Sequence, residues 1–209
     1  MKTEFVRNDL WEEHKNDVAW FADGALNAAH NALDKHLSTL TQDKTALVHE
    51  SEEGEVKTYS FLEVIRLSNK FANVLTEYGV MKGDRVFIFM PRIPELHISF
   101  LAALKTGAIA GTLFSAFQEE ALKDRLENSG AKVVLTTKEL AKRVDPIKSA
   151  LPNLEHIVVV DDTQFAKLVE KASDTFAISH TTSEDYAFML YTSGTTGKPK
   201  GVVHVHAGV

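Results

Sequence analysis

The sequence has 209 residues, enough for one large domain or two small ones, and its 44% hydrophobic and 25% charged residues are typical of a globular protein. A net charge of −6 argues against a general nucleic-acid surface, which usually needs a basic stripe. Because cysteine is absent, disulfides, thiolate metal sites and cysteine nucleophiles are excluded. Because the sequence has no long apolar run and no apolar segment at its start, we expect a cytoplasmic protein that binds neither nucleic acids nor membranes.

The beginning of the chain predicts a helical lead-in, residues 1–38, rather than a separate domain. Asn27 can cap a helix over residues 27–37, in which apolar side chains recur at a loosely helical spacing. The segments TALVHE (45–50) and VKTYS (56–60) flank the turn-like sequence SEEGE and predict a β-hairpin.

A strong helix signal follows the hairpin, and from residue 84 onward short apolar runs alternate with helical segments. Ser60 and Glu63 have the spacing of a capping box, and Gly79 ends the apolar periodicity after them. The apolar runs are RVFIFM (85–90), AIAGTLF (108–114), AKVVLTT (131–137), HIVVVD (156–161) and YAFMLY (186–191). The helical segments between them begin at Pro94, Glu119, Lys138 (where Pro146 is expected to kink or end the helix) and near residue 163. This alternation predicts an α/β fold with mostly parallel sheets flanked by helices.

The segment YTSGTTGKPKG, residues 191–201, has the composition of an anion-binding loop. It contains three glycines, which allow positive φ angles, together with four serine and threonine hydroxyls and two lysines. It follows the last apolar run of the alternation, at the edge where such sheets bind ligands. An ordinary solvated loop is the alternative, but the lysines beside the glycines and hydroxyls favour the phosphates of a nucleotide.

The segment is not a common P-loop. Only two residues separate Gly194 from Gly197, and Pro199 follows Lys198 where a helix should begin. The sequence that follows, GVVHVH, alternates like a strand, so the loop is predicted to join two strands.

At this point the chain resembles a known family. YTSGTTGKPKGVVH is similar to the phosphate-loop signature of the adenylate-forming superfamily, and residues 58–117 are similar to the amino-terminal half of these enzymes in order and spacing. Within the superfamily, residues 20–36 and 113–137 are most similar to the acetyl-CoA synthetases.

The resemblance implies the amino-terminal part of the large domain of an adenylate-forming enzyme. Residues 39–209 would be a partial AMP-binding (adenylation) domain, truncated after the phosphate loop. The family's adenine pocket, its acidic residues for ribose and Mg²⁺, and its catalytic lysine lie further along than Val209. We therefore expect no catalytic residue within this chain, and no activity of the chain alone. We also expect the strands YAFMLY and GVVHV to find their sheet partners largely in the missing sequence.

The implied reaction joins acetate to ATP, which gives acetyl-adenylate and pyrophosphate, after which CoA displaces AMP to give acetyl-CoA. ATP, Mg²⁺ and CoA are the implied cofactors, and small molecules are the implied partners. The residues implied to hold the ATP phosphates are Thr192, Ser193, Gly194, Thr195, Thr196, Gly197 and Lys198.

A second implied site would contact the CoA nucleotide. Its residues would be Phe114, Ser115 and Ala116, after one strand, and Lys142 and Arg143, after the next. The small residues replace the glycine pair often found in the family, and the basic pair lacks the usual arginine spacing. The alternative places Phe114 in the core and leaves the two basic side chains on a solvated helix face.

Two other functions remain open, namely another short-chain acyl-CoA synthetase and a non-catalytic module for nucleotide binding or association. His204 and His206 stand two apart, as metal ligands on one strand face would. Because no third ligand is identifiable, no metal site is predicted.

Overall fold

The computed structural model describes residues 25–192 and 197–209. The strands in these ranges are β1 (Thr45–Glu50), β2 (Val56–Ser60), β3 (Arg85–Phe89), β4 (Ile109–Leu113), β5 (Val133–Thr136), β6 (His156–Val159), β7 (Tyr186–Thr192) and β8 (Lys200–Val205). The helices are α1 (Ala28–Ala32), α2 (Phe61–Glu77), α3 (Pro94–Lys105), α4 (Glu119–Ser129), α5 (Lys138–Val144) and α6 (Thr163–Lys171). Short 3₁₀ turns cover Asp34–His36, Asp145–Ala150 and His206–Gly208.

A six-stranded sheet forms the centre of the molecule, with the strand order β6-β5-β3-β4-β7-β8. The first five strands in this order are parallel, and β8 runs antiparallel to β7. The strands β1 and β2 form a separate antiparallel hairpin, as their sequence predicts. The predicted α/β fold with a mostly parallel sheet and flanking helices is confirmed.

Helices cover both faces of the sheet. In β3, the side chains of Val86 and Ile88 face α2, α3 and α6, whereas those of Phe87 and Phe89 face α4 and α5. These strands therefore read as continuous apolar runs rather than alternating ones. Among the helices that the structure describes, none combines the length and apolar character needed to cross a bilayer.

Side chains at the helix ends explain why several helices begin where they do. Ser60 Oγ accepts from the Glu63 amide at 3.2 Å, and the Glu63 carboxylate accepts from the Ser60 amide at 2.7 Å, which confirms the capping box of α2. Asn27 caps α1 as predicted, with Oδ1 accepting from the Ala29 amide at 3.0 Å. The helix predicted over residues 27–37 is nevertheless shorter, because α1 ends at Ala32 and a 3₁₀ turn follows.

The lead-in predicted at residues 1–38 is described only from residue 25 onward, and residues 1–24 lie outside the described ranges. Its described part is bound to the main sheet domain by a buried ion pair. Lys105 Nζ lies 2.9 Å from Asp34 Oδ1 and 2.7 Å from Asn69 Oδ1, and its side chain has no exposed surface. Burial lowers the pKa of Lys105, an effect that Asp34 opposes.

The expectation that β7 and β8 find their partners largely outside this chain is wrong for β7. This strand pairs with β4 on one side, through Phe188 opposite Ala110, and with β8 along its other side. The error arose because pairing between β4 and β7 joins segments far apart in sequence. In the described residues, β8 forms that edge of the sheet.

Gly111 in β4 leaves space for an aromatic ring of the neighbouring strand. It pairs with Phe87 of β3, and a Cβ atom built on it would lie 2.4 Å from Cε1 of that ring. The contact is far below van der Waals distance, and because the ring is fully buried in a close-packed core, moving it aside would disturb its neighbours.

We expect Gly111→Ala to lower the free energy of unfolding by about 1–3 kcal/mol, because it overpacks the core beneath Phe87. Urea unfolding measures this. Gly208→Ala is the matched control, since its new Cβ would approach no atom closer than 3.9 Å and should leave stability nearly unchanged. Equal stability of the two variants would contradict the steric argument, and Phe87→Leu should restore part of the loss.

Candidate functional site

A crevice opens at the carboxyl edge of the sheet between β3 and β4. The helix after β3 lies on one face of the sheet and the helix after β4 lies on the other, so the two connections diverge. A cavity of about 360 Å³ fills this space. Its lining includes Met90, Arg92, Phe114, Ser115 and Tyr191.

The predicted phosphate loop connects β7 to β8 beside this crevice. Thr192 ends β7 and pairs with Lys200, the first residue of β8, so the loop leaves and returns at the carboxyl end of β7. The loop residues Ser193, Gly194, Thr195 and Thr196 lie outside the described residues. Gly197 follows them with a φ angle of +102°, a conformation that favours glycine.

Lys198 provides a positive charge next to this loop. Its Nζ lies 3.2 Å from Asp124 Oδ1 on α4, and the lysine side chain is 83% exposed. An ion pair this exposed contributes little to stability, so the ammonium group can leave the carboxylate for an anion at small cost.

The carboxyl end of β7 is fixed against α4 by an aromatic network. The Tyr191 hydroxyl lies 3.0 Å from the Arg125 carbonyl oxygen and 2.7 Å from Asn128 Oδ1. The Arg125 guanidinium stacks over the Phe117 ring at 4.2 Å from its centroid. Burial raises the pKa of Tyr191, which therefore stays a neutral phenol that holds the start of the loop in place. Sequence reasoning did not identify this network, because no local pattern marks it.

The structure brings together some of the residues expected to contact CoA. Arg143 Nη1 donates to the carbonyl oxygens of Ser115 at 2.8 Å and Phe117 at 3.2 Å, so α5 holds the turn after β4. Phe114 in this turn is 63% exposed, which contradicts the alternative that places it in the core. Its ring contacts Phe117 edge-on, at 5.8 Å between centroids. Ala116 is exposed between them.

Lys142 lies apart from this turn. It pairs with Glu139 one helical turn earlier on α5, and both side chains are largely exposed. The two neighbouring basic residues therefore differ: Arg143 orders the backbone of the turn, and Lys142 belongs to a solvated helix face, as the alternative interpretation has it.

The two histidines near the end of the chain have separate roles. The ring of His204 stacks on Phe188, at 4.4 Å between centroids. His206 is buried, and its Nδ1 accepts from the Ala28 amide at 3.1 Å. Burial lowers the pKa of His206, against the opposing charge of Asp185. Within residues 25–192 and 197–209, no group of three or more His, Cys, Asp or Glu side chains is placed to hold a metal ion.

Comparison with models of known protein families identifies the family of this chain. The sequence model described as "AMP-binding enzyme" matches residues 34–209. The chain belongs to the AMP-binding enzyme family. This membership agrees with the resemblance that the loop sequence carries.

Several curated members of the AMP-binding enzyme family are similar over nearly the whole chain. Acetyl-coenzyme A synthetase of Bacillus subtilis is 45% identical over 212 residues, which cover 97% of this chain and 36% of that protein. The acetyl-coenzyme A synthetases of Deinococcus radiodurans and Escherichia coli are each 37% identical, over 95% and 97% of this chain. The chain spans about a third of the length of these relatives.

Solved structures of a CoA ligase and an acyl CoA synthetase share the fold. Anthranilate CoA ligase AuaEII in complex with anthranoyl-AMP matches with a TM-score of 0.80 and 27% identity, over 91% of this chain and 37% of that one. The fatty acyl CoA synthetase of Mycobacterium tuberculosis matches with a TM-score of 0.75 and 28% identity, over 86% of this chain and 34% of that one.

Replacing Arg143 with Ala should loosen the turn after β4, because two carbonyl oxygens lose their shared donor. We expect faster hydrogen exchange at the Phe117 amide, which donates to the Phe114 carbonyl oxygen across the turn at 2.9 Å. Lys142→Ala is the matched control and should leave this exchange rate unchanged. Equal protection in both variants would contradict the role assigned to Arg143.

Proposed function

We propose that this chain is part of an ATP-dependent ligase that converts acetate to acetyl-adenylate and then to acetyl-CoA, with release of pyrophosphate and AMP. The observation that carries the proposal is the lysine-bearing loop at the carboxyl end of β7, which adjoins the crevice between β3 and β4. The names of the relatives, acetyl-coenzyme A synthetases over 97% of this chain in the first case, support acetate as the acid. The name of AuaEII's bound ligand, anthranoyl-AMP, supports an acyl-adenylate intermediate.

In this proposal the loop binds the β- and γ-phosphates of ATP, through Thr192, Ser193, Gly194, Thr195, Thr196, Gly197 and Lys198. The described members of this set fit phosphate. Gly197 has the positive φ that lets consecutive amides converge on an anion, and Lys198 carries an exposed ammonium group. Thr192 is held by strand pairing directly before the loop, so its position is set by the sheet.

Attack of a carboxylate on the α-phosphate is an in-line substitution, for which the protein supplies orientation and charge neutralisation. The residues of this chain would contribute by fixing the pyrophosphate half of ATP, so that the α-phosphate is presented to the acid. Lys198 would neutralise negative charge that accumulates on the departing pyrophosphate. Mg²⁺ accompanies ATP in the proposal, but none of its ligands is assigned to the described residues.

CoA would enter after the adenylate forms, along the turn that contains Phe114, Ser115 and Ala116. An exposed aromatic ring beside a turn of small residues suits a flat adenine base. In this arrangement Arg143 positions the turn through its carbonyl oxygens, and Lys142 has no contact with it.

The domain assignment is part of the same proposal: residues 1–38 form a lead-in, and residues 39–209 form part of the adenylation domain. The contacts of the lead-in support a role as a brace of this domain. Asn27 Nδ2 donates to the Leu104 carbonyl oxygen at 2.7 Å, and Asp34 pairs with Lys105.

Replacing Lys198 with Ala in the full-length protein should lower acetate-dependent exchange between pyrophosphate and ATP about tenfold or more, because a charge-assisted hydrogen bond contributes about 1.5–3 kcal/mol. Gly197→Val should also depress the exchange, because a β-branched residue disfavours positive φ. Lys171→Ala, at an exposed lysine on α6, is the control for lost charge. Unchanged exchange in both loop variants would overturn the phosphate assignment.

The same assay separates the proposal from its alternatives. Faster exchange with propionate or a longer acid than with acetate would identify another short-chain acyl-CoA synthetase. ATP binding without exchange by any acid would identify a non-catalytic nucleotide-binding module.

Asp124 competes with the phosphates for Lys198. We expect Asp124→Asn to lower the KM for ATP by about two- to fivefold, since an exposed ion pair contributes about 0.2–1 kcal/mol. Glu127→Gln removes a charge from an exposed position of the same helix and should have a smaller effect. A KM that is equal in the two variants would show that Lys198 does not exchange partners.

A further inference from the structure

Arg92 is a charged residue in a rigid position that sequence reasoning passed over. It stands between Pro91 and Ile93 directly after β3, and Pro94 begins α3. The Ile93 amide donates to the Pro91 carbonyl oxygen at 2.9 Å, which closes a tight turn centred on Arg92. Two prolines and this hydrogen bond fix the backbone, so the direction in which Arg92 leaves the chain is set before any ligand binds.

Arg92 is exposed, and its guanidinium group has no hydrogen-bond or ion-pair partner among residues 25–192 and 197–209. Other arginines at the ends of the sheet are occupied: Arg85 donates to the Ser129 and Gly130 carbonyl oxygens, and Arg143 donates to those of Ser115 and Phe117. Arg92 is therefore the arginine at this edge whose donors remain available in the described structure.

Arg92 lines three adjoining cavities. The crevice between β3 and β4 has a volume of about 360 Å³, and a larger cavity of about 630 Å³ lies between the turn after β4 and the hairpin. A third, of about 210 Å³, extends along β1. Phe114 and Ser115 line the first two cavities together with Arg92, so one groove passes between the arginine and the turn.

The charges around the groove determine where an anion can lie. On the hairpin side, Glu50, Glu52 and Glu53 line the larger cavity and repel phosphate. On the side of Phe114 and Ser115, the wall is uncharged apart from Arg92. A phosphate attracted by the guanidinium is therefore confined to the side of the turn.

We propose that Arg92 binds a phosphate group of the CoA molecule whose adenine base the proposed function places at Phe114. The inference rests on the proposed function, which supplies CoA as a substrate. Guanidinium groups recognise phosphate through paired N–H donors, and the open groove gives a nucleotide access from solvent. The sequence predicted Lys142 and Arg143 near the CoA nucleotide, and this proposal adds Arg92 as the residue that contacts a phosphate group.

The test compares the two half-reactions of the full-length protein. Arg92→Gln should raise the KM for CoA in thioester formation about tenfold, because a charge-assisted phosphate contact is lost. Acetate-dependent exchange between pyrophosphate and ATP should be unchanged, since it needs no CoA. Arg92→Lys should recover part of the affinity as a point charge, and Arg66→Gln, on α2 and paired with Asp174, is the control.

Measurement with 3′-dephospho-CoA identifies the phosphate. If Arg92→Gln removes the preference of the wild type for CoA over the dephospho compound, the contact is with the 3′-phosphate. If the KM rises equally for both compounds, the contact is with the pyrophosphate group, and both results support the proposal.

An unchanged KM for CoA, or an equal loss in the ATP exchange reaction, would overturn the assignment of Arg92 while leaving the proposed function intact. The second result would place the phosphate of ATP at Arg92. If the wild-type protein itself forms no thioester with CoA, the proposed function fails and this assignment fails with it.

Discussion

Parallel pairing of β3 with β4 on one side and with β5 on the other is the interaction on which the rest of the structure depends. Parallel strands need a crossover after each strand, and here the crossovers are helices that cover both faces of the sheet. The carboxyl ends of the parallel strands, with the polar connections that follow them, then lie on the same side of the sheet. The turn with Arg92, the turn with Phe114 and the loop after β7 come from distant parts of the sequence and meet there for this reason.

Contacts in the core fix the strands that end at this edge. The Phe87 ring fills the space above Gly111, and the Tyr191 hydroxyl fixes the end of β7 to α4. The turns with Arg92 and Phe114 therefore follow buried strands, and β7 is held by its pairing with β4 and β8. In the proposed function, the sheet sets the positions of the backbone amides and single cations that contact the ligands.

The features that could be predicted from the sequence are those that depend on residues close together in the chain. The capping box of Ser60 and Glu63, the strand runs and the glycine-rich loop each depend on neighbouring residues, and the fold class followed from them. The pairing of β7 with β4 could not be predicted, because it joins segments with no local mark. The role of Arg143 could not be predicted either, because donation to backbone carbonyl oxygens does not depend on the type of the accepting residue. Nor could the buried ion pair of Lys105 with Asp34, because the two residues are 71 positions apart in the sequence.

The bond between the Ala28 amide and His206 joins positions separated by 178 residues, and the Leu26 amide donates to the Thr181 carbonyl oxygen nearby. During synthesis on the ribosome, the segment around Ala28 emerges early but cannot complete these contacts until the end of β8 has also emerged. Closing so long a loop is slow relative to forming a helix or hairpin. The attachment of the segment around Ala28 to His206 therefore forms only after all six strands of the described sheet have been made.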